Sequence, residues 1–414
     1  MYRIKDGARA PRGNQKIDWV KEHMPVLTEI RKKFEKDKVF KNEVVAICLH
    51  LEAKTGYMAE VFQSAGAHVY ISGSNPLSTD DDVCAALAEK GIHVYSWYKI
   101  DAASHYKNLH TLLEAEPTIV IDDGADLVSL LHSEKKSVTS VQGVCEETTT
   151  GVLRVKALEK EGILRFPVIA VNDAYCKSLF DNRYGTGQSA LEGIMRSTNL
   201  VIAGKVVVVA GYGWVGKGLA LRARGLGAKV VVTEVDPVKA LEAHMEGFPV
   251  MPIDEACSIG DIFITATGNI DVIRKKHFQK MKSGAILCNA GHFDVEIDVK
   301  SLREMAEPRK IREHVEEYRI GGKKVYLLGE GGLVNLACAD GHPAEIMDLS
   351  FAVQVLSAHY LLEHELENKL LPVPPQVDTQ VAALALEALG IKTDVLTEKQ
   401  KEYLTSWEYG TSHD

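Results

Sequence analysis

The chain has 414 residues, of which 46% are hydrophobic and 25% are charged. This length exceeds what one hydrophobic core usually fills, so we expect two or more domains, and the composition excludes an intrinsically disordered chain. The net charge of −9 argues against a general nucleic-acid-binding protein. No apolar run approaches the ~20 residues that cross a bilayer and no signal peptide is evident, so we expect a cytoplasmic protein without membrane contact.

The seven cysteines are scattered through the chain without a C-x-x-C pair. This pattern indicates neither a disulfide framework nor a zinc cluster, so we predict no metal site. We expect every cysteine to be a buried thiol. The seven are Cys48, Cys84, Cys145, Cys176, Cys257, Cys288 and Cys338.

Short apolar runs alternate with amphipathic stretches from Glu43 onward. The runs EVVAICL, HVYISG, IHVYSW and TIVIDDG are typical of strands, and stretches such as TGYMAEVFQSAG between them are typical of helices. The same alternation restarts after Leu200, with a near-continuous apolar strand, a glycine turn, a helix and a second apolar strand. Strands separated by helices favour a parallel sheet covered on both faces, so the chain is predicted to contain two α/β units.

The glycine turn of the second unit carries Gly211, Gly213 and Gly216 in the pattern G-Y-G-W-V-G. The first glycine permits a tight turn, the second lets backbone approach a pyrophosphate, and the third lets the helix pack on the strand. Glu234 ends the next strand, about 20 residues on, where an acid accepts from ribose hydroxyls and repels a 2′-phosphate. The pattern therefore predicts NAD rather than NADP, the alternative being glycines that only form a tight turn.

We predict two Rossmann-like, doubly wound parallel-sheet domains and a small C-terminal helical segment. The substrate-binding domain is expected to comprise residues 1–184 and 343–375, and the NAD-binding domain residues 185–342. A connecting helix with a hinge is expected within residues 185–199. The stretch LLPVPPQVD is predicted to be a proline-marked break, followed by a helical tail over residues 376–414.

Several fragments outside the glycine turn are dense in chemically active residues. Each could also have a purely structural role: EETTTG could be a capped helix start, and Lys177 with Asp181 could be an exposed i,i+4 pair. Several nevertheless follow predicted strands, and open α/β sheets hold ligands at the carboxyl ends of their strands. Together they predict one active site. The fragments are HLEAKT (50–55), IDDGAD (121–126), CEETTTG (145–151), VNDAYCKSLFDNRYG (171–185), NAGHFD (289–294) and GHPAEIM (341–347).

These ordered motifs resemble those of the S-adenosyl-L-homocysteine hydrolases (adenosylhomocysteinases), from about His50 to Leu396. The compact length and the HLEAKT variant resemble the archaeal and thermophile-type branch. The resemblance implies an enzyme of the methyl cycle, in one-carbon metabolism, that hydrolyses an S-nucleosyl-L-homocysteine thioether reversibly with tightly bound NAD. It also implies a homotetramer.

The implied reaction oxidises the 3′-hydroxyl, eliminates homocysteine, adds water at C5′ and reduces the ketone again. A thioether is a poor leaving group, and the adjacent ketone is what makes its departure feasible. The hydride site and the acid–base site must therefore face the same sugar.

The resemblance also implies roles for individual residues. Lys177, paired with Asp181, would handle the 3′-hydroxyl proton, and a lysine is useful as a base only when its pKa is lowered. Asp123 would take the C4′ proton, and His50 would serve departure and water addition at C5′. His292 would lie near the 3′ oxygen.

Further residues are implied to bind substrate or cofactor. Glu147 would hold the ribose hydroxyls, Asn182 would lie near the nicotinamide, and His342 would line the entrance and contact both ligands. Thr55 would belong to the substrate pocket. The remaining implied cofactor contacts are Thr148, Thr149, Thr150, Trp214, Val215, Asn269, Asn289 and Asn335.

The base-recognition fragment departs from the commonest family pattern. Most members carry His-x-Thr-x-Glu, whereas this chain has His50, Glu52 and Lys54. A lysine only donates, so Lys54 could not read the amino group of adenine. Hypoxanthine presents a carbonyl at position 6 and a hydrogen on N1, so Lys54 could donate to the first and Glu52 could accept from the second.

We therefore expect a preference for S-inosyl-L-homocysteine, which gives inosine and homocysteine. The resemblance agrees, because archaeal relatives with His-x-Glu-x-Lys include S-inosyl-L-homocysteine hydrolases, which act after a deaminase. The alternative is an S-adenosyl-L-homocysteine hydrolase in which Glu52 and Lys54 pair with each other while backbone groups read adenine.

Three other departures concern the chain's family traits. Thr186 stands where many members have a cysteine, and Gly332 replaces an arginine before LVNL. Most members end in a lysine- and tyrosine-bearing tail that reaches a neighbouring subunit's NAD, whereas this chain ends in YGTSHD. Cross-subunit cofactor contacts are therefore left open.

Two other functional classes also stay open. A net oxidoreductase, such as a 2-hydroxyacid or amino-acid dehydrogenase, would need an arginine beside a histidine to clamp a carboxylate, and the sequence assigns no arginine to such a pair. A non-catalytic NAD-binding regulator is the other class. The presence of all five residues with implied catalytic roles argues against it.

Overall fold

The computed structural model describes residues 2–133 and 139–408. They form two seven-stranded sheets, each covered by helices. The strands are β1 (Val44–Leu49), β2 (His68–Gly73), β3 (His93–Val94), β4 (Ile119–Asp122), β5 (Gly143–Glu146), β6 (Val168–Ala170), β7 (Val206–Ala210), β8 (Lys229–Thr233), β9 (Ile262–Thr265), β10 (Ala285–Asn289), β11 (Arg309–Arg312), β12 (Val315–Ile320), β13 (Lys323–Leu328) and β14 (Leu370–Pro372).

Helices connect these strands, and a π-helical segment spans Ser178–Gly185. The α-helices are α1 (Ala10–Glu22), α2 (Pro25–Asp37), α3 (Ala53–Ser64), α4 (Asp81–Glu89), α5 (Ala102–Leu113), α6 (Asp126–Ser133), α7 (Thr149–Lys160), α8 (Tyr175–Lys177), α9 (Thr186–Thr198), α10 (Trp214–Gly225), α11 (Pro237–Met245), α12 (Ile253–Ala256), α13 (Lys275–Lys280), α14 (Val299–Met305), α15 (Val334–Ala337), α16 (Ala344–Glu363), α17 (Pro375–Ala388) and α18 (Glu398–Thr405). Within the described residues, no helix is long and apolar enough to cross a membrane.

The first sheet has the strand order β14-β6-β5-β4-β1-β2-β3, and every neighbouring pair is parallel. Its central strands are buried on both faces, as their apolar runs predicted. The second sheet has the order β11-β12-β13-β10-β9-β7-β8 and is parallel from β13 to β8. The predicted two-sheet α/β fold is confirmed.

The second sheet also has an antiparallel edge that we did not predict. Strand β12 pairs antiparallel with β11 and with β13. Between β12 and β13 the chain turns through Gly321 and Gly322, both with positive φ (54° and 80°). Two such residues form the tight turn that joins antiparallel strands, so the Gly-Gly pair was the local signal.

The proline-marked stretch is not simply a break. Leu370–Pro372 forms β14, which pairs in parallel with β6 at the edge of the first sheet. Proline is tolerated there because an edge strand has one side without a partner. The following helix α17 starts at Pro375 and buries Val377 and Val381 in the same apolar cluster as the core of the first sheet.

Helix α16 is the long segment that returns to the first sheet after the second is complete. It packs against α2, α3, α8 and β5, and its Phe351 and Val355 belong to the first apolar cluster. Its Asp348 is buried and accepts the N–H groups of Val26 and Leu27, at 2.9 and 2.7 Å, where α2 begins. All seven cysteines are buried and free, as predicted.

Candidate active site

A cavity of about 1380 Å³ lies between the carboxyl ends of the strands of both sheets. The geometry follows from the fold: His50, Asp123 and Glu147 each come directly after β1, β4 and β5, which are neighbours in the first sheet. Gly211 and Glu234 follow the neighbouring strands β7 and β8 of the second sheet. One cavity therefore faces both groups of strand ends, as open α/β sheets arrange their ligand sites.

Most of the site residues predicted from the sequence line this cavity, and two do not. Gly216 and Asn289 are absent from its wall. The predicted residues in the wall are His50, Glu52, Lys54, Thr55, Asp123, Glu147, Thr148, Thr149, Thr150, Lys177, Asp181, Asn182, Gly211, Gly213, Trp214, Val215, Glu234, Asn269, His292, Asn335 and His342.

Asp123 stands between two histidines. Its carboxylate oxygens lie 3.3 Å from His50 Nε2 and 3.6 Å from His292 Nδ1. Burial lowers the pKa of His50 to about 4, although the charge of Asp123 opposes the shift. His50 is therefore neutral at pH 7 and can accept a proton next to a carboxylate.

The loop after β2 orients this set. Ser78 Oγ lies 2.7 Å from His50 Nδ1, and Ser74 donates to Asp123 Oδ2 at 3.1 Å. The ligand atoms of His50, Asp123 and His292 also lie within 4.8 Å of one another, a spacing that a divalent ion could use. The neutral histidine, the carboxylate and the serine donor form a complete acid–base set without one.

Lys177 is the centre of a second buried set. Its Nζ donates to Asn182 Oδ1 at 2.8 Å and lies 3.5 Å from Asp181 and 3.7 Å from Glu147. Burial favours the neutral amine, but Asp181 and Glu147 outweigh burial and raise the pKa of Lys177. The condition under which a lysine is useful as a base, a lowered pKa, is therefore not met in this structure, because these acids stabilise the ammonium form.

The two acids differ in their own proton affinity. Burial opposes ionisation of Asp181, but Lys177 and His342 hold the pKa of its carboxyl well below the usual range. Burial raises the pKa of Glu147 to about 8, although Lys177 opposes the shift. Asp181 is therefore a fixed negative charge, whereas Glu147 can hold a proton near neutral pH.

Two residues of α16 complete this set, and the sequence analysis missed both. Ser350 Oγ donates to Asp181 Oδ2 at 2.8 Å, and Gln354 Nε2 donates to Glu147 Oε2. Both are buried polar residues in a mostly buried helix, together with Asp348 and Ser357. Polar residues within its long apolar stretch were the available signal, because a buried polar group needs a partner. Met347 and Phe351 of the same helix add apolar wall to the cavity and were also missed.

His342 links Asp181 to helix α9, the helix that follows the π-helical segment. Its Nδ1 lies 3.2 Å from Asp181, and its Nε2 lies 3.0 Å from the hydroxyl of Thr186 at the start of α9. Thr186, which stands where many family members have cysteine, thus offers a hydrogen bond to His342. At Gly332 a Cβ atom would lie 3.3 Å from the carbonyl oxygen of Gly329 and 3.4 Å from Leu77, so a side chain there would be closely packed. The tail residues YGTSHD lie outside the described residues.

The glycine turn can hold a dinucleotide. A Cβ at Gly216 would lie 2.0 Å from the carbonyl oxygen of Gly211, so Gly216 serves close packing of α10 rather than the cavity wall. At Gly213, which precedes α10, no atom lies within 4 Å of a Cβ position, so a ligand can approach the backbone. Asn335 lines the cavity with a buried Oδ1 that has no partner among the described residues.

Two glutamates hold loops at the strand ends of the second sheet. Glu234 accepts the N–H of Tyr212 at 2.7 Å, inside the glycine turn. Glu296, which the sequence analysis did not single out, accepts the N–H groups of Thr267 and Gly268 at 2.9 and 2.8 Å. These bonds fix the loop that carries Asn269.

Asn289 was predicted to contact the cofactor, and the structure gives it another position. Its amide nitrogen donates to the carbonyls of Gly291 and Phe293 at 3.1 and 2.9 Å, and its Oδ1 accepts from Gly291 and Thr265. The side chain is fully buried beneath the loop. Asn289 therefore supports the loop that carries His292 rather than the cavity wall.

Glu52 and Lys54 form a pair at the cavity wall, 2.6 Å apart. Glu52 also accepts the backbone N–H groups of Lys54 and Thr55, at 3.1 and 3.3 Å, and so caps α3. Lys54 Nζ donates further to the carbonyl of Asp340, at 3.0 Å.

A dinucleotide site and an acid–base site facing one cavity define an NAD-dependent enzyme with its own proton-transfer groups. Two family models match the chain: "S-adenosyl-L-homocysteine hydrolase" over residues 1–142 and "S-adenosyl-L-homocysteine hydrolase, NAD binding domain" over residues 182–341. The chain belongs to this family. It is an NAD-dependent hydrolase of an S-nucleosyl-L-homocysteine thioether.

Curated relatives match over nearly the whole chain. The S-inosyl-L-homocysteine hydrolase of Methanocaldococcus jannaschii is 57% identical, over 99% of this chain and 100% of its own length. The adenosylhomocysteinase of Aquifex aeolicus is 54% identical, and the S-inosyl-L-homocysteine hydrolase of Methanococcus maripaludis 52%, both with the same coverage. Relatives named S-inosyl-L-homocysteine hydrolase and a relative named adenosylhomocysteinase are therefore similarly identical to this chain.

Proposed function

We propose that this enzyme prefers S-inosyl-L-homocysteine and releases inosine and L-homocysteine. The observation that carries the proposal is the pair Glu52 and Lys54 in the cavity wall. The two relatives named S-inosyl-L-homocysteine hydrolase support it, but similar identity to adenosylhomocysteinases leaves the choice to the site chemistry.

The pair retains one donor and one acceptor for a base. An ammonium group has three N–H donors, and Lys54 uses two of them, on Glu52 and on the carbonyl of Asp340. Glu52 Oε2 already accepts from Lys54, whereas its Oε1 accepts only a 3.3 Å bond and a 3.5 Å contact from Thr55. The remaining donor suits the carbonyl of hypoxanthine, and the remaining acceptor suits its N1 hydrogen.

S-adenosyl-L-homocysteine is the second candidate substrate. The contact between Glu52 and Lys54 is compatible with it, because the two side chains can neutralise each other instead of binding the base. If Glu52 and Lys54 only neutralise each other, backbone groups at the cavity could read adenine. Adenine would then place its amino group, a donor, against the donor of Lys54, which leaves two buried donors unpaired. That cost is why we favour the inosyl substrate.

The two acid–base sets are assigned to different steps. Bound NAD would supply the hydride acceptor for C3′ and would return the hydride at the end of the cycle. Lys177 would exchange the proton of the 3′-hydroxyl, with Asp181 fixing its charge and Glu147 holding the ribose. Asp123 would take the C4′ proton and pass it to His50, 3.3 Å away, which would give it to the departing thiolate. His50 would then take a proton from the water that adds at C5′, and that proton would return through Asp123 to C4′.

Three further residues would complete the site. His292 would contact the 3′ oxygen, Asn182 would hold Lys177 near the nicotinamide, and His342 would line the entrance. For the remaining cofactor contacts we propose the residues that line the second half of the cavity: Thr148, Thr149, Thr150, Gly211, Gly213, Trp214, Val215, Glu234, Asn269 and Asn335.

We also propose the domain division, the assembly and the location given by the resemblance. The substrate domain would comprise residues 1–184 and 343–375, and the NAD domain residues 185–342. The protein would form a homotetramer in the cytoplasm. Assembly is supported by seven large apolar side chains that are exposed within the 19 residues from Leu389 to Trp407, a higher density than singly scattered surface hydrophobics have.

The substrate proposal is tested by comparing kcat/KM for the two thioethers. We expect a higher value for S-inosyl- than for S-adenosyl-L-homocysteine, by about tenfold or more, the effect of one mismatched buried hydrogen bond. The double variant Glu52→Thr, Lys54→Glu should move the preference toward the adenosyl substrate. A matched control is Glu29→Thr, Lys32→Glu, which changes an exposed ion pair of the same 2.6 Å length on α2. A wild-type preference for the adenosyl substrate would refute the proposal.

A further inference from the structure

The turn after β4 is an unusual piece of backbone beside the site. Asp123 is followed by Gly124 with φ of 100° and by Ala125 with φ of 59°. A left-handed alanine is strained, and it persists only where its surroundings hold it. Ala125 is completely buried, so the groups that hold it are side chains of the protein.

The carboxylate of Glu146 holds this turn. It is completely buried at the end of β5 and accepts the N–H groups of Gly124 and Ala125, at 2.9 and 3.0 Å. It also accepts the N–H of Thr148 at 3.0 Å, where α7 begins. Every bond that this carboxylate makes is to a backbone donor, so it orders two loops at once.

Two other residues support the arrangement. Arg154 holds the turn from the opposite side, because it donates to the carbonyl of Gly124 and pairs with Asp126 at 2.7 Å. A Cβ at Gly151 would lie 2.1 Å from the carboxyl carbon of Glu146. The glycine of the EETTTG fragment therefore leaves the space that the Glu146 carboxylate occupies.

The turn lies against two groups of the active site. Asp123 precedes it and contacts both His50 and His292. The ring of His292 rests on the turn itself, with its Nε2 2.7 Å from the Cβ position of Gly124. A shift of the turn would therefore displace Asp123 directly, whereas His292 is carried by the loop after β10. Lys177, Asp181 and Asn182 stand on other elements, and Glu147 is the one member of their set that follows Glu146 on β5.

We propose that Glu146 is a positioning residue for the steps at C4′ and C5′, acting through Asp123 without touching the substrate. This inference rests on the proposed assignment of Asp123 to the C4′ proton. It separates the reaction into two parts: oxidation at C3′ depends on Lys177, and the later steps depend on the turn that Glu146 holds.

The test is Glu146→Gln. The amide would keep one acceptor, but its NH₂ group would face a backbone N–H, so one of the bonds to the turn is lost and two donors oppose each other. With inosine or adenosine as the probe, reduction of the bound NAD, followed at 340 nm, should stay within about threefold of wild type. Exchange of the C4′ hydrogen with D₂O and overall kcat should fall about 100-fold, the effect of a misplaced group, with KM little changed. The matched control is Glu161→Gln, an exposed glutamate, which should change neither.

The outcomes separate the two claims. If wild-type enzyme shows neither NAD reduction nor C4′ exchange with either nucleoside, the proposed function fails. If wild type shows both and Glu146→Gln retains both, or loses both while folded with NAD bound, the positioning role is refuted. Should Glu146→Gln fail to fold, Arg154→Met loosens the same turn from its other side. It must then show the same selective loss of C4′ exchange, and retained exchange would overturn the inference.

Discussion

Lys177 is the residue whose observed environment changes the chemical interpretation most. A lysine is useful as a base only when its pKa is lowered, but Asp181 and Glu147 outweigh burial and raise the pKa of Lys177. The charged amine is ready to donate a proton to a 3′ oxygen during reduction of the ketone. It must lose that proton before it can accept one during oxidation.

Replacing Lys177 by alanine tests its role directly. We expect Lys177→Ala to keep its fold and its bound NAD, but to lose both reduction of that NAD by nucleoside and overall hydrolysis, by about 10² to 10⁴-fold. The measurements are absorbance at 340 nm and homocysteine release. Lys160, exposed at the end of α7, provides the control variant Lys160→Ala. Near-normal hydrolysis in Lys177→Ala would remove Lys177 from the mechanism.

The pH dependence of the oxidation step follows from the same shift. Because the pKa of Lys177 is raised, the neutral amine becomes more abundant as the pH increases through neutral toward alkaline values. The single-turnover rate of NAD reduction by nucleoside should therefore rise with pH between about 7 and 9. Stopped-flow absorbance measures it. A rate that falls over this range would contradict the assignment of Lys177 as the base.

At the scale of elements, helix α16 supports the two acids that surround Lys177. Its Gln354 donates to Glu147, whose pKa burial raises to about 8. In Gln354→Met the carboxylate loses a donor in a buried place, so its ionised form becomes less favourable still. Above pH 8, where Glu147 is ionised, we expect KM to rise about tenfold, since a hydrogen bond to a charged group is worth about 1.5 kcal/mol or more.

The control for that prediction is Gln279→Met, which changes an exposed glutamine of α13. Steady-state kinetics with both variants distinguishes loss of ribose binding from a general effect on stability. An unchanged KM in Gln354→Met, with the protein folded, would show that Gln354 does not support Glu147.

The same helix shows why part of the site could not be predicted. The resemblance of their fragments to the family motifs implied Asp181 and Glu147, without any predicted strand before either fragment. Ser350 and Gln354 lie more than 150 residues further along the chain, within an apolar helix, and only the tertiary fold brings them to those acids. The turn held by Glu146 could not be predicted either, since the positive φ values of Gly124 and Ala125 leave no pattern in the sequence.

At the scale of the whole molecule, apolar runs separated by helical patterns were sufficient to predict two parallel sheets. The antiparallel strands β11 and β12 and the edge strand β14 were missed. Strand β11 is exposed at the edge of its sheet, so its residues lack the apolar pattern of a buried strand. Strand β14 has three residues, too few for any periodicity.

The two sheets together explain why an enzyme of this family can combine redox and hydrolytic chemistry. The strand ends of the second sheet face the cavity with the dinucleotide turn, and those of the first face it with both acid–base sets. A substrate sugar in that cavity would meet a hydride acceptor and proton-transfer groups together. Reduced cofactor formed in the first step would then be consumed in the last.

The most direct test of this account is to follow homocysteine release and absorbance at 340 nm together, in one reaction with purified enzyme and S-inosyl-L-homocysteine. We predict many turnovers per enzyme-bound NAD without net accumulation of NADH, because each hydride removed from C3′ is returned to it. One NADH formed for each substrate consumed, with dependence on added NAD, would contradict a cycle within one cavity and would indicate a net oxidoreductase.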